Sequence, residues 1–161
     1  MDLVRLKTRN LTLKNYNMKK ILFAVALMMV SAVAFAQTVP LKVTFKFVNI
    51  VEGYDHTCKT EVFIDGNSVG MSGEVKESVG TSFTVQVPVG AHDIRIMNYA
   101  MYEGQWEEHT IDNEYSIDCT YSESGHNFKK ASKLFLIFDI DDKALVGWKK
   151  APKVSKKKAK G

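Results

Sequence analysis

The sequence predicts an all-β fold: a single small antiparallel β-sandwich, Ig-like in outline, of about seven or eight strands. Two observations carry this. From Gln37 onward, apolar and polar residues alternate with period two, as in Leu41-Lys42-Val43-Thr44-Phe45-Lys46-Phe47 and Phe83-Thr84-Val85-Gln86-Val87. That spacing sends one side-chain set into a core and the other into solvent. Short Gly-centred turns separate the runs, and no long segment of helical period follows residue 37. Nor is there an internal repeat of the kind that builds solenoids, which makes this one module and not an array.

Taken in order, residues 41–47 form the first strand, with 48–51 as a possible extension, and 58–64 the second. Asp65-Gly66 is a hairpin turn, because Asp-Gly suits positive φ. Residues 69–71 are a short, weak strand and 72–81 a polar link. The strand at 83–87 ends at Pro88, which cannot donate a ladder hydrogen bond. Strands are expected at 94–99 and 105–111, then one through the alternating Tyr115, Ile117, Cys119 and Tyr121, with 122–132 as a polar loop. Residues 134–140 are the most apolar run after residue 37 and read as a central strand covered on both sides. A last strand is expected at 144–148.

The stretch at 62–96 resembles the PEGA family of small β-sandwich modules. The resemblance rests on the strand ending Ile64-Asp65-Gly66, the following Val69-Gly70, the turn Pro88-Val89-Gly90-Ala91, and His92 leading into Ile94 and Ile96. The tetrapeptide differs from the family's namesake at one position. Residues 71–82 depart from it, where the family usually has Thr-Pro and a shorter link. The resemblance implies an exported structural or binding module and brings no catalytic residues with it.

Ahead of the strands, Met18-Lys19-Lys20 precedes an apolar run and Ala34-Phe35-Ala36. These are the basic, apolar and small-residue parts of a secretory signal, with cleavage expected between Ala36 and Gln37. The run is shorter than the ~20 residues of a spanning helix. Residues 1–17 read as an upstream segment, with translation expected to start at Met18. The signal resembles those of Gram-negative Bacteroidetes and implies an exported protein: periplasmic, outer-surface or secreted.

Charge is unevenly distributed. The chain carries +4 overall, but residues 1–36 hold six of its basic residues and one acidic one. Lys149, Lys150, Lys153, Lys156, Lys157, Lys158 and Lys160 crowd the end without an acid among them. The body at 37–148 is left with 9 basic and 17 acidic residues, a net of −8. An acidic globule argues against specific nucleic-acid binding. The segment 149–161 has too little apolar surface to offset its ordering entropy and is expected to be a disordered tail. Its lysines read as an attractor for anionic surfaces or as an inert solubilising tail.

Cys58 and Cys119 are the only cysteines. In an exported chain a disulfide is expected. It would close a loop of about 60 residues and stabilise the fold by roughly 4 kcal/mol. The alternative is two buried free thiols.

The chemistry-bearing residues form no recognisable motif. His56, His92, His109 and His126 lack metal-ligand spacing. Glu107-Glu108-His109 alternate faces in a strand and read as exposed charges. Asp139, Asp141 and Asp142 lack the Gly and Glu of a calcium loop and read as a solvated turn. No cofactor is implied. Tyr99, Tyr102 and Trp106 are the candidate ligand surface, in the least regular stretch of backbone. The reading is therefore an exported, non-catalytic structural or binding module. Envelope polysaccharide, lipopolysaccharide or another envelope protein are its candidate partners. The alternatives are a carbohydrate- or peptide-binding domain using residues 99–106, and a hydrolase whose site is not visible in the sequence.

Overall fold

The computed structural model describes residues 37–51, 53–140 and 144–154. The upstream segment, the signal with Ala36, Asp141, Asp142 and the tail lysines from Lys156 onward lie outside the described residues. Ten strands form two sheets: β1 (Thr38–Val48), β2 (Thr57–Ile64), β3 (Asn67–Met71), β4 (Val75–Lys76), β5 (Thr81–Pro88), β6 (Gly90–Tyr102), β7 (Gln105–Glu108), β8 (Thr120–Phe128), β9 (Ser132–Asp139) and β10 (Ala144–Trp148). One sheet has the order β10-β9-β1-β5. The other runs β3-β2-β6-β7, with β4 also pairing β2 and β8 also pairing β6. The all-β sandwich is as expected.

The core lies between the sheets, where the period-two alternation places it. β1 contributes Val39, Leu41, Val43, Phe45 and Phe47, and β9 contributes Leu134, Leu136 and Phe138. The other sheet answers with Val62, Ile64, Ile94 and Ile96. Phe45 meets Phe47 edge-on with centroids 6.3 Å apart, and Phe47 meets Phe138 at 5.1 Å. Each fully buried side chain of this size contributes about 1.5–3 kcal/mol.

Several elements differ from expectation. β9 pairs β1 in parallel, with Val43 opposite Leu134 and Phe47 opposite Phe138, so the sandwich is not purely antiparallel. β9 is central, as its apolar run implies, and its outward Ile137 is still only 8% exposed. The strand expected through Tyr115 and Cys119 is displaced. β8 occupies 120–128, most of which reads as polar loop, because a strand on the edge of β6 can leave many side chains in solvent and still satisfy its backbone. At the start of the lysine-rich segment, Lys149 donates its amide to the Lys133 carbonyl at 2.9 Å, and the chain folds back over Gly147. A Cβ on Gly147 would stand 2.3 Å from the Lys150 carbonyl oxygen.

The residues of the PEGA resemblance lie together. Asp65 and Gly66 have φ of 49° and 78°, the two positive values of a tight hairpin turn. Pro88-Val89-Gly90 is where the chain crosses from one sheet to the other, β5 to β6. His92 Nδ1 meets Asp65 Oδ2 at 2.6 Å, and the Asp93 amide donates to Asp65 Oδ1 at 3.0 Å. The His92 contact and the Asp93 amide hold the Asp65 carboxyl below its usual range, and Asp65 in turn raises His92. The contact pins the β2–β3 turn to the start of β6.

Candidate functional site

One long strand, β6, sets up the site. Its Gly90–Met97 portion pairs β8 and its Tyr99–Tyr102 portion pairs β7 along the same edge. Asn98 lies at the junction. Its amide donates to the Cys119 carbonyl at 3.0 Å, its carbonyl accepts from the His109 amide at 2.9 Å, and the Cys119 amide donates to the His109 carbonyl at 2.8 Å. His109 is thereby carried to the end of the sandwich, and only 2% of its surface is exposed.

A 3-10 turn at Ile111–Asn113 then reverses the chain. Asp118 Oδ1 accepts from the Ile111 amide at 2.9 Å, and the Tyr115 amide donates to the Thr110 carbonyl at 3.1 Å. This brings the Tyr115 ring over His109, with centroids 4.2 Å apart, while Phe47 lies beyond at 5.7 Å from the imidazole. His56 meets Tyr115 edge-on at 5.6 Å and Tyr102 at 6.3 Å. The Tyr115 hydroxyl donates to Glu107 Oε1 at 3.2 Å. Burial, and then the Glu107 carboxylate, push the Tyr115 hydroxyl pKa upward.

Glu77 comes from the segment after β4, where its amide donates to the His56 carbonyl at 3.1 Å. Asp55 ties the same loops by accepting from the Ser78 amide at 2.9 Å and the Ser78 hydroxyl at 2.7 Å. Glu77 Oε1 stands 3.0 Å from His109 Nδ1, and both side chains are almost fully buried. The distance is that of an ion pair, yet neither atom has an aligned hydrogen-bond partner.

These groups line a cleft of about 690 Å³ at the loop end of the sandwich. Its walls include Tyr54, Tyr102 and Tyr115, the apolar Ile50 and Ile140, and the carboxylates of Glu107, Asp112 and Glu114, with Glu77 and His109 behind. Tyr54 and Tyr102 are 67% and 52% exposed.

The expected ligand surface is divided. Only Tyr102 belongs to the cleft. Met101 pairs Trp106 and Tyr99 pairs Glu108, so Tyr99 and Trp106 share the outer face of the sheet. There Lys59 Nζ lies 4.0 Å from the Trp106 ring centroid. His109 is a buried group and not an exposed strand charge, which corrects the sequence expectation. The spacing did hold a signal: Glu107 and His109 are two apart, and both line the cleft. Tyr54 and His56 come from one loop, Glu77 and Tyr115 from two others, and they carry no such mark.

The bridge expected between Cys58 and Cys119 is absent: both are free and buried. Cys58 sits on β2 opposite Ala100 of β6, and Cys119 bonds to Asn98 across the other edge of β6. One strand therefore separates them, a backbone spacing of about 9–10 Å, beyond the ~7 Å limit for bridging. Burial pushes the Cys58 thiol up to about 12 against a hydrogen bond from Asn98, with Glu77 adding to the rise. Burial raises Cys119 further. Gln37 is exposed, and its carbonyl accepts from the Val89 amide at 2.8 Å. Lys149, Lys150 and Lys153 are exposed.

No protein-family model and no curated protein matches the chain. A solved structure described as "Crystal Structure of Gram Negative Toxin" is similar at 9% identity and a TM-score of 0.36 over 73% of this chain. The chain spans 24% of the length of that structure's chain, and a likeness at this level bears on neither fold nor function.

Proposed function

We propose that the protein is an exported, non-catalytic binding module whose ligand occupies the loop-end cleft. The observation that carries this reading is the cleft itself: about 690 Å³, open, and walled by tyrosine rings standing on a rigid sandwich. Binding sites combine this volume and an apolar wall with a few placed polar groups, and loops on a rigid scaffold are their usual location. The PEGA resemblance and the signal-like residues 18–36 support export. The lysines of 149–161 add a non-specific attraction to anionic envelope surfaces, at about 1 kcal/mol per residue near an anionic membrane. Envelope polysaccharide, lipopolysaccharide and envelope proteins are the partner classes to test. The test is amide chemical-shift mapping on the full chain with each class. Binding that moves Tyr102 and Tyr115 supports the cleft. Binding that moves only Tyr99 and Trp106 transfers the site to the outer sheet face.

A hydrolase is the second reading, favoured by the buried Glu77–His109 pair beside Tyr115. Against it, the two side chains are 1% and 3% exposed, and both nearby thiols are held protonated by burial. A substrate screen in which wild-type protein turns over and His109→Gln does not would establish it.

A further inference from the structure

Resting on the binding reading, we infer that the cleft takes an organic cation: an ammonium or guanidinium group, carried by a free amine or by a lysine or arginine side chain. Among the described residues, the cleft is lined by acidic side chains and two histidines. Glu107, Asp112 and Glu114 face it, and no Lys or Arg does among the described residues. On the outer face of the same sheet, by contrast, Lys59 and Arg95 lie among the acids and already cover the Trp106 and Phe63 rings at 4.0 and 5.6 Å. There the aromatic faces have their cations. Among the described residues, no cation lies over the exposed tyrosines of the cleft.

Aromatic faces attract cations through the ring quadrupole, and cages of such rings with nearby carboxylates suit ammonium groups. Tyr54 and Tyr102 supply exposed rings, and Tyr115 supplies a third whose hydroxyl is held by Glu107. Behind them Glu77 Oε1 faces His109 Nδ1 at 3.0 Å, with both side chains nearly fully buried. The carboxylates are spread around the wall: among the described residues no three His, Cys, Asp or Glu side chains are grouped to hold a metal ion. A diffuse negative field with ring faces matches an organic cation, which needs no coordination shell.

The experiment titrates full-length, isotopically labelled protein at pH 8 with choline and with its uncharged isostere 3,3-dimethyl-1-butanol. Parallel titrations use a capped lysine tripeptide, its norleucine counterpart and a neutral oligosaccharide. The charged member of each pair is expected to move the Tyr102 and Tyr115 amides with at least about tenfold tighter binding than the neutral one. Tighter binding of the lysine peptide than of choline assigns the source to a polypeptide side chain, and the reverse order assigns it to a free amine. Tyr102→Leu is expected to weaken cation binding about fivefold, and Tyr102→Phe to preserve it, because the ring and not the hydroxyl is used. Tyr102 is 52% exposed, so both variants are expected to fold. Equal binding of charged and neutral members, or cleft shifts from the oligosaccharide alone, overturns the cation assignment and leaves the binding reading standing. No cleft shift from any probe overturns both.

Discussion

Glu123 and Glu77 each face a histidine packed against an aromatic ring, but the two clusters are finished differently. Glu123 accepts from Tyr121 Oη, from Trp148 Nε1 at 2.9 Å, and meets His126 Nδ1 at 2.8 Å. His126 stacks on Trp148 with centroids 3.9 Å apart and planes 15° from parallel. The cluster ties β8 of one sheet to β10 of the other, and every polar atom in it named here has a partner. Glu77 and His109 are more deeply buried, meet through a 3.0 Å contact that is not aligned as a hydrogen bond, and border an open cleft. The satisfied cluster behaves as a structural clamp. The second bears the larger desolvation cost, which the close contact between its two members has to offset.

That contrast can be broken by mutation. The largest effect is expected from His109→Leu, which leaves the Glu77 carboxyl buried without its partner. Unfolding in urea should show a loss of about 3 kcal/mol. A loss under 1 kcal/mol would mean that Glu77 is not constrained by His109. Next is Trp148→Ala, which removes the half-buried ring and the clamp together and should cost about 2–3 kcal/mol. Trp148→Phe keeps the ring but deletes the donor to Glu123. Because Glu123 is 36% exposed, the expected loss is only about 1 kcal/mol. If both Trp148 variants are equally damaging, the hydrogen bond and not the stack holds the sheets.

Two smaller effects sharpen the comparison. Burial raises the Glu123 carboxyl, but hydrogen bonds from Tyr121, His126 and Trp148 outweigh it, and the net pKa is lowered. The sign follows: the clamp's contribution is fully present above Glu123's ordinary value of 4.5 and is lost as pH falls through its depressed folded value. Acid unfolding of Glu123→Gln should therefore lack part of the wild-type slope below pH 4.5, and identical slopes would remove the linkage. Thiol counting addresses the surroundings of Glu77. Unreduced protein should yield two free thiols when unfolded and react far more slowly when folded, since burial holds both thiols protonated. No free thiol after unfolding would show that the protein forms the Cys58–Cys119 bridge after all.

The sequence by itself determined the layers of this protein. Alternation in β1, β2, β5 and β6 names the buried faces, since a strand's side-chain period is two whatever lies beside it. It also located the Asp65-Gly66 turn and the apolar run of β9, and separated an acidic body from a basic end. It did not determine which edge each strand takes. β8 is mostly polar and its side chains are mostly half-buried or exposed, so its pairing with β6 rests on backbone hydrogen bonds that leave little trace in residue type. The parallel β1–β9 pair likewise depends on how the chain crosses between sheets. The cleft lay furthest from reach. Glu107 and His109 are two residues apart and both line the cleft, so they could be read, but Tyr54, Glu77 and Tyr115 meet them through three separate loops, and only tertiary closure of the sandwich end fixes those distances. The same closure placed β6 between Cys58 and Cys119, about two strand spacings apart, where both thiols are free and buried.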